Sequence, residues 1–131
     1  MASSSSQVSL PTESEEQRKV MQWAAHIPKL KWLFAIPNGA HLAGDKKHRA
    51  IKMSNLKSQG LKVGVADLFL PIARKHYHGI FIEMKRQKFS QVTDDQKLFS
   101  QDVSAEGYLC VVCYGADQAI EAIRYYMEMR S

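Results

Sequence analysis

The chain has 131 residues, of which 45% are hydrophobic and 24% charged, with a formal net charge of +5. That composition is typical of a soluble globular domain, and it excludes collagenous, fully disordered and disulfide-stapled proteins. No apolar run is close to the length of about 20 residues that is needed to cross a bilayer. The N-terminus lacks the order of a signal peptide, in which basic residues precede an apolar segment. Since two cysteines in such a chain indicate a reducing compartment, we expect a cytoplasmic protein with no membrane association.

The N-terminal segment differs in composition from the rest of the chain. Residues 1–11 contain four consecutive serines and almost no core-forming side chains, so they predict a flexible tail before a single domain at 12–131. A helix is predicted at 12–26, where apolar residues recur at helical spacing. Two pairs, Thr12 with Glu15 and Ser14 with Gln17, fit a capping box at its start, and Pro28 is expected to end it.

The remaining elements follow from periodicity and turn residues. In order, they are a strand at 32–36, a turn at Pro37-Asn38-Gly39, a basic helix at 45–59, strands at 65–72 and 79–85, a loop at 87–92, a helix at 93–106 capped by Thr93 and Gln96, a strand at 108–114 and a helix at 117–129. The order α-β-α-β-β-α-β-α predicts an α/β fold in which a mixed sheet is flanked by helices on both faces.

Positive charge is concentrated in the middle of the chain. Residues 29–88 contain 13 Lys and Arg against three acids, Asp45, Asp67 and Glu83, which is an excess of +10. Such asymmetry indicates a polyanionic partner, although a solvated basic face explains the charge equally well. Two of the three acids lie inside apolar, strand-like runs, and this favours a functional interpretation.

The two central strands carry their polar side chains on defined faces, because side chains alternate along a strand. In its strand, Asp67 lies on the face opposite to Ala66, Leu68 and Leu70, and in the next strand Glu83 and Lys85 share one face. The short connection at 71–78 makes the two strands antiparallel neighbours. Two ionised carboxylates in apolar surroundings on adjacent strands repel each other unless a cation lies between them.

Carboxylate ligands of this kind suit Mg²⁺ or Mn²⁺. The ammonium group of Lys85 would then help to activate a water molecule or to offset charge that develops on a phosphate. The spacing Asp-x15-Glu-x-Lys is therefore a candidate metal site for phosphodiester hydrolysis. The Glu-x-Lys pattern alone is common, and a surface pair of Glu83 and Lys85, with Asp67 as an ordinary acid near a turn, explains the same residues.

Longer motifs surround these residues. They are Gly64-Val-Ala-Asp-Leu-Phe-Leu-Pro71, His78-Gly-Ile-Phe-Ile-Glu-Met-Lys-Arg86, Gln96, Ile36-Pro-Asn-Gly39, Gly107-Tyr108 and Val111-Val112. Together they resemble the PD-(D/E)XK nuclease superfamily, specifically the small VRR-NUC domain of phage and repair nucleases. The resemblance covers nearly the whole chain apart from the serine tail, and it implies a restriction-endonuclease-like fold. Ala66 is a departure, since the family usually has proline there, but that proline binds no metal.

The resemblance implies a role for each matching position. Asp67 and Glu83 would be metal ligands together with the backbone carbonyl of Met84, and Lys85 would be the catalytic lysine. Gln96 matches a glutamine near the site. It also fits a capping box with Thr93, and the two roles are compatible.

A glutamate from the first helix usually completes the cluster in this family. The family pattern of a glutamate four residues before a glutamine selects Glu13, on the same helical face as Gln17. Glu16 is the alternative. Favourable charge in the first turn of a helix also explains these acids.

The basic helix is the candidate for contacts with the nucleic-acid backbone. The residues that we assign to this role are Lys46, Lys47, Arg49, Lys52, Lys57 and Lys62, and the resemblance adds Asn38 near the substrate. The pair Cys110 and Cys113 has metal-site spacing. Because positions i and i+3 of a strand point to opposite faces, buried small side chains are the better interpretation.

These features predict an endonuclease that requires Mg²⁺ or Mn²⁺ and hydrolyses DNA. Relatives of this type often act as homodimers, which suits a four-way (Holliday) junction with two cuts to make, in a phage or bacterial DNA-repair setting. Cleavage of flaps or plain duplex is an alternative. A nucleic-acid-binding module without chemistry is the rival from another class, and an intact Asp, Glu and Lys set argues against it.

Overall fold

The computed structural model describes residues 10–38, 42–86 and 90–131. Its helices and strands, in chain order, are α1 (Glu13–Ala24), β1 (Phe34–Ala35), α2 (Lys46–Ser58), β2 (Leu68–Leu70), β3 (Ile80–Lys85), α3 (Asp94–Ala105), β4 (Leu109–Tyr114) and α4 (Ala116–Glu128), with a short 3-10 helix at Pro28–Leu30. This order confirms the predicted succession of elements. None of the described helices combines the length and the apolar character of a membrane span.

The described strands form one mixed sheet in the order β1-β2-β3-β4. The first three strands are antiparallel, and β4 runs parallel to β3. In the β2–β3 pair, Leu68 lies opposite Ile82 and Leu70 lies opposite Ile80, and all four side chains are fully buried. The predicted alternation of apolar and polar faces is therefore confirmed in both strands.

Helices cover both faces of the sheet, as predicted. The face formed by the buried aliphatic residues of β2 and β3 packs against α1 and α4, which contribute Val20, Ala24, Ala119, Ile123 and Tyr126 to the core. On the opposite face, Phe99 of α3 packs edge-on against Phe81 of β3, with ring centroids 5.1 Å apart. The acids of β2 and β3 belong to this second face.

Two predicted strands are shorter in the structure. The strand predicted at 65–72 spans only Leu68–Leu70, because Gly64 has a positive φ of 91° just after a turn and Pro71 has no N–H for the ladder. The strand predicted at 32–36 spans only Phe34–Ala35, because the N–H of Leu33 donates to the carbonyl of Leu30 and extends the preceding turn. Those two boundary predictions were wrong at their ends.

Helix α1 begins as predicted but ends early. Its N-cap is Thr12, which forms the capping box with Glu15. The helix ends at Ala24, two residues before the predicted end at His26; the residue before a proline is driven out of the helical region, and Ile27 is extended, with φ −119° and ψ 106°. Pro28 instead begins the 3-10 helix.

Parts of three predictions lie outside the described residues. They are residues 1–9 of the expected tail, Gly39 of the Pro-Asn-Gly turn, and positions 87–89 of the predicted loop at 87–92. Leu10, at the end of the expected tail, accepts a hydrogen bond at its carbonyl from the Arg86 guanidinium, at 3.0 Å.

Candidate active site

Two acidic side chains face each other where β2 and β3 meet. Asp67 immediately precedes β2, and its N–H donates to the carbonyl of Ile82 in β3 at 3.1 Å. The carboxyl group of Asp67 meets that of Glu83, and a side-chain hydrogen bond joins the two. The structure thus brings together the two carboxylates that the sequence assigned to neighbouring strands.

Asp67 is held by two hydrogen-bond donors. Its Oδ2 accepts from the backbone N–H of Met84 at 2.7 Å, and its Oδ1 accepts from the side-chain amide of Asn38 at 3.3 Å. Asn38, which the resemblance placed near the substrate, therefore reaches the acid site. Both contacts orient the carboxylate and leave further lone pairs of its oxygens for a ligand.

Glu83 is buried, with 8% of its surface exposed. Burial raises the pKa of Glu83 to about 9, and the negative charge of Asp67 and a hydrogen bond between the two carboxyl groups add to that rise. The charges of Lys85 and Glu13 act on the pKa of Glu83 in opposite directions, the lysine lowering it and the glutamate raising it. The pair therefore has the electrostatics of a site that keeps a proton or binds a cation between its acids.

Lys85 lies beside Glu83 on the same face of β3. Its side chain is also buried, with 6% of the residue exposed, and its Nζ lies 4.0 Å from Oε2 of Glu83. A buried ammonium group is costly unless it has a charged partner. The interpretation of these residues as a surface pair is therefore excluded by their burial.

Gln96 performs both of the roles that the sequence suggested. Its side-chain Oε1 accepts from the backbone N–H of Thr93 at 2.9 Å, and the backbone N–H of Gln96 donates to Oγ1 of Thr93. The two bonds form a capping box at the start of α3. The amide nitrogen of the same side chain donates to Oε2 of Glu83 at 2.9 Å. A single amide thus fixes both the helix start and the buried carboxylate.

The first helix brings two different glutamates to different places. Glu13 lies at the start of α1, lines the same cleft as Asp67, and its charge acts on Glu83. Glu16 is 2% exposed, and its Oε1 lies 3.6 Å from the ammonium group of Lys19. Glu13 is therefore the residue that faces the cleft, on the same wall as Gln17.

A cleft of about 630 Å³ opens beside Asp67. Its walls come from the start of α1, the chain after β1, and α2, and its lining includes Glu13, Gln17, Asn38, Leu56, Asp67 and Arg86. Among the described residues, no three side chains of His, Cys, Asp or Glu are grouped closely enough to hold a metal by themselves. A cation here would use the acid pair together with backbone, water or substrate oxygens.

The predicted basic helix is an exposed element. Helix α2 has no buried residue, and the basic residues that the sequence assigned to it, and Lys62 after it, are all exposed. Asp45 caps the helix by accepting from the N–H of His48 at 2.9 Å, and Leu56 lines the cleft. Lys52 donates to the carbonyl of Ala43 at 2.9 Å, so one of these cations also supports the local chain.

Two comparisons with known proteins agree on the family. The family model for the VRR-NUC domain matches residues 3–117. The chain belongs to the VRR-NUC family. A solved structure of a VRR_NUC domain protein is similar to it, with a TM-score of 0.79 and 29% sequence identity over 95% of this chain and 94% of that chain. No curated protein matches the sequence.

VRR-NUC domains are nuclease-type domains, so family membership supports a nuclease role and DNA as the substrate. The predicted restriction-endonuclease-like α/β fold is confirmed by the mixed sheet and its flanking helices, which match the solved VRR-NUC structure.

Sequence reasoning gave no role to two features of this VRR-NUC domain. Arg86 lines the cleft next to Asp67, and its place directly after the Glu-x-Lys motif was the available signal. A row of phenylalanines lies beside the acid pair. Phe69 follows Asp67 by two residues and Phe81 precedes Glu83 by two, so both rings share the face of the acids.

The prediction of buried cysteines is confirmed for Cys113, whereas Cys110 of this VRR-NUC domain is only half-buried. Both are free and belong to β4. Burial raises the pKa of the Cys113 thiol to about 11, which disfavours the thiolate that zinc binding or redox exchange requires.

Proposed function

We propose that this VRR-NUC domain is an endonuclease that uses Mg²⁺ or Mn²⁺ to hydrolyse phosphodiester bonds in DNA. The observation that carries the proposal is the contact between the carboxyl groups of Asp67 and Glu83, with the ammonium group of Lys85 alongside. Family membership supports the nuclease part, and the chemistry of the acid pair supports the metal.

The residues fit a divalent cation. A hard cation between the carboxylates would remove the repulsion that contributes to the raised pKa of Glu83. The N–H of Met84 points to Asp67, and a strand residue directs its N–H and C=O to the same side, so the Met84 carbonyl also faces this site. Asp67, Glu83 and that carbonyl would hold the ion.

Hydrolysis requires a water oxygen to bond to phosphorus while the bond from phosphorus to the leaving sugar oxygen breaks. A bound divalent ion would polarise the phosphate and lower the pKa of the attacking water. Lys85 lies where its positive charge would stabilise the negative charge that develops on the phosphate oxygens. Gln96 orients Glu83, and Glu13 adds an acidic wall to the cleft.

The basic helix α2 would hold the DNA backbone over the cleft. The cations assigned to this role are Lys46, Lys47, Arg49, Lys52, Lys57 and Lys62, and all are exposed to solvent. Asn38 would lie near the substrate because its amide already contacts Asp67. Each phosphate that these cations neutralise should steepen the salt dependence of duplex binding by about 0.9 log units.

The substrate that this proposal favours is a four-way junction in DNA repair, in a bacterial or phage setting. A symmetric homodimer would present two such sites to one junction. Flaps or plain duplex are the alternative substrates. The free thiols of Cys110 and Cys113 suit the reducing bacterial cytoplasm that this role implies.

Purified protein assayed on four-way, flap, duplex and single-stranded DNA tests the proposal. We expect cleavage with Mg²⁺ or Mn²⁺, none in EDTA, and loss of cleavage in Asp67→Asn and Lys85→Gln. Salt-sensitive binding that is indifferent to EDTA, with no cleavage of any form, would instead support a binding module without chemistry.

A further inference from the structure

Three phenylalanine rings form a row across the sheet beside the acid pair. Phe34 of β1 pairs with Phe69 of β2, which pairs with Phe81 of β3. Side chains of directly paired residues lie on the same face of a sheet. The Phe69 and Phe81 rings are stacked with centroids 4.3 Å apart, and Phe34 meets Phe69 edge-on at 5.8 Å.

This aromatic row lies one step along the strands from the carboxylates. Phe69 is two residues beyond Asp67, and Phe81 is two residues before Glu83. Two residues of strand span about 7 Å, and the side chains at these positions share a face. A nucleotide next to the phosphate at the acid pair is therefore within reach of the rings.

One end of the row is open to solvent. The α3 helix meets the row at Phe81, through the edge-on contact of Phe99. Among the described elements, the helices pack mainly on β3 and β4, and Phe34 at the other end of the row is 45% exposed. Trp32, two residues before Phe34, is a second exposed ring, with 64% of the residue exposed. The ammonium group of Lys31 lies 5.7 Å from the centre of the Trp32 ring.

We propose that Phe34, supported by Phe69, is a stacking surface for an unpaired DNA base that flanks the cleaved phosphate. Exposed aromatic rings beside cations are the means by which proteins bind single-stranded nucleic acid, since every base has a face that can stack. The bases of a continuous duplex are stacked on each other and cannot reach such a ring. The surface would therefore favour DNA with unpaired nucleotides next to the cut.

The inference rests on the proposed nuclease function and shifts its expected substrate from a fully paired four-way junction to DNA such as flaps, which carries unpaired nucleotides. It concerns base contacts and is independent of the phosphate contacts of α2. Oligonucleotides with and without bases separate the two, because an abasic strand keeps every phosphate.

The test is an anisotropy titration of fluorescently labelled oligonucleotides in EDTA, where the proposed cleavage does not proceed. One probe is an oligo-dT strand, and the other is an abasic strand of equal length. We expect Phe34→Ala to bind oligo-dT roughly 5- to 100-fold more weakly than the parent does, with affinity for the abasic strand unchanged within about twofold. Tyr125→Ala is the matched control, since Tyr125 is a 70% exposed ring on α4, and it should change neither affinity.

Further variants guard against a folding defect. Phe34→Leu keeps an apolar contact with Phe69 but removes the ring, and it should lose oligo-dT binding as Phe34→Ala does. Phe34→Trp should retain binding. Equal loss of both probes in Phe34→Ala, or loss of neither, overturns the inference.

Three other outcomes separate this inference from a dimer contact and from the nuclease proposal. If Phe34→Ala leaves both probes unaffected but converts a dimer to a monomer in sedimentation, the ring serves contact between copies and the inference is wrong. If the parent cleaves DNA with metal but Phe34→Ala shows no base-dependent loss, the nuclease proposal stands and the stacking surface does not. If no metal supports cleavage, the nuclease proposal fails regardless of the binding result.

Discussion

Gln96 couples a helix cap to the buried acid, so its substitution should affect both fold and metal binding. Gln96→Ala removes the 2.9 Å bond to Glu83 and the 2.9 Å bond to the N–H of Thr93. Below its raised pKa, Glu83 is protonated, so the lost bond joins neutral groups and contributes about 0.5–1.5 kcal/mol, and the lost half of the capping box costs up to about 1 kcal/mol. We expect the free energy of unfolding to fall by about 1–2.5 kcal/mol.

Two further variants separate the two contacts. Thr93→Ala removes the Oγ1 acceptor of the cap and leaves the amide of Gln96 beside Glu83, so it should cost about 1 kcal/mol. Gln96→Glu keeps a normal capping-box residue at this position but replaces the donor to Glu83 by a carboxylate. Since partners that orient metal ligands typically account for 10- to 100-fold in metal affinity, both Gln96 variants should bind Mn²⁺ more weakly by about that factor.

Urea unfolding in EDTA and calorimetric titration with Mn²⁺ measure the two effects. The reasoning predicts that Thr93→Ala binds Mn²⁺ like the parent, while both Gln96 variants lose affinity. If Thr93→Ala weakens Mn²⁺ binding as much as Gln96→Ala does, the helix start rather than the contact with Glu83 controls the site. That result would refute the role assigned to the amide.

The remaining predictions concern the backbone, the basic helix and pH. Gly64→Ala should lower the free energy of unfolding in urea by about 2–4 kcal/mol, because φ is +91° and a Cβ would lie 2.6 Å from the Asp95 carbonyl. The control, Gly60→Ala, has φ +111° but open space around its Cβ, and it should cost only about 1 kcal/mol. Equal costs would show that the contact with α3 is unimportant. Replacing Lys46 and Lys47 by Gln should lower the salt slope of duplex binding by up to about 1.8 log units, since each phosphate contact contributes about 0.9. The melting temperature should not fall, because cations in the first turn of α2 oppose the helix dipole. An unchanged salt slope would exclude the two lysines from phosphate contact. In EDTA, the free energy of unfolding should fall as pH rises from about 4.5 towards 9, because the raised pKa of Glu83 makes the folded state hold a proton that the unfolded state releases. Glu83→Gln should flatten this pH dependence, which urea unfolding at a series of pH values measures. Parallel pH profiles of the parent and the variant would contradict the prediction.

Much of the acid site could be predicted because it depends on local periodicity. Alternation along each strand was enough to place Asp67 on the face of its strand opposite the aliphatic side chains and Glu83 with Lys85 on the corresponding face of theirs, and a short connection made the strands neighbours. The two roles of Gln96 were also accessible, since its spacing from Thr93 defines a cap and a helix start next to a strand can reach its polar groups.

Other parts depend on tertiary structure and were beyond sequence reasoning. The family pattern selected Glu13 with Glu16 as the alternative, and only the packing, which buries Glu16 and leaves Glu13 at the cleft, distinguishes the two acids of this first turn. The pairing of Phe34 with Phe69 requires the register of β1, which consists of two residues and gives almost no pattern to read. The early end of α1 likewise depends on how the chain turns before Pro28.

The account as a whole depends on a divalent cation held jointly by Asp67 and Glu83. Electron paramagnetic resonance of free Mn²⁺, titrated with the parent, Asp67→Asn and Glu83→Gln at one pH and ionic strength, measures this directly. We predict a saturable site in the parent and at least tenfold weaker binding in each variant, with far-ultraviolet circular dichroism unchanged. Variants that bind Mn²⁺ as tightly as the parent would contradict the account, since the ion would then be held elsewhere.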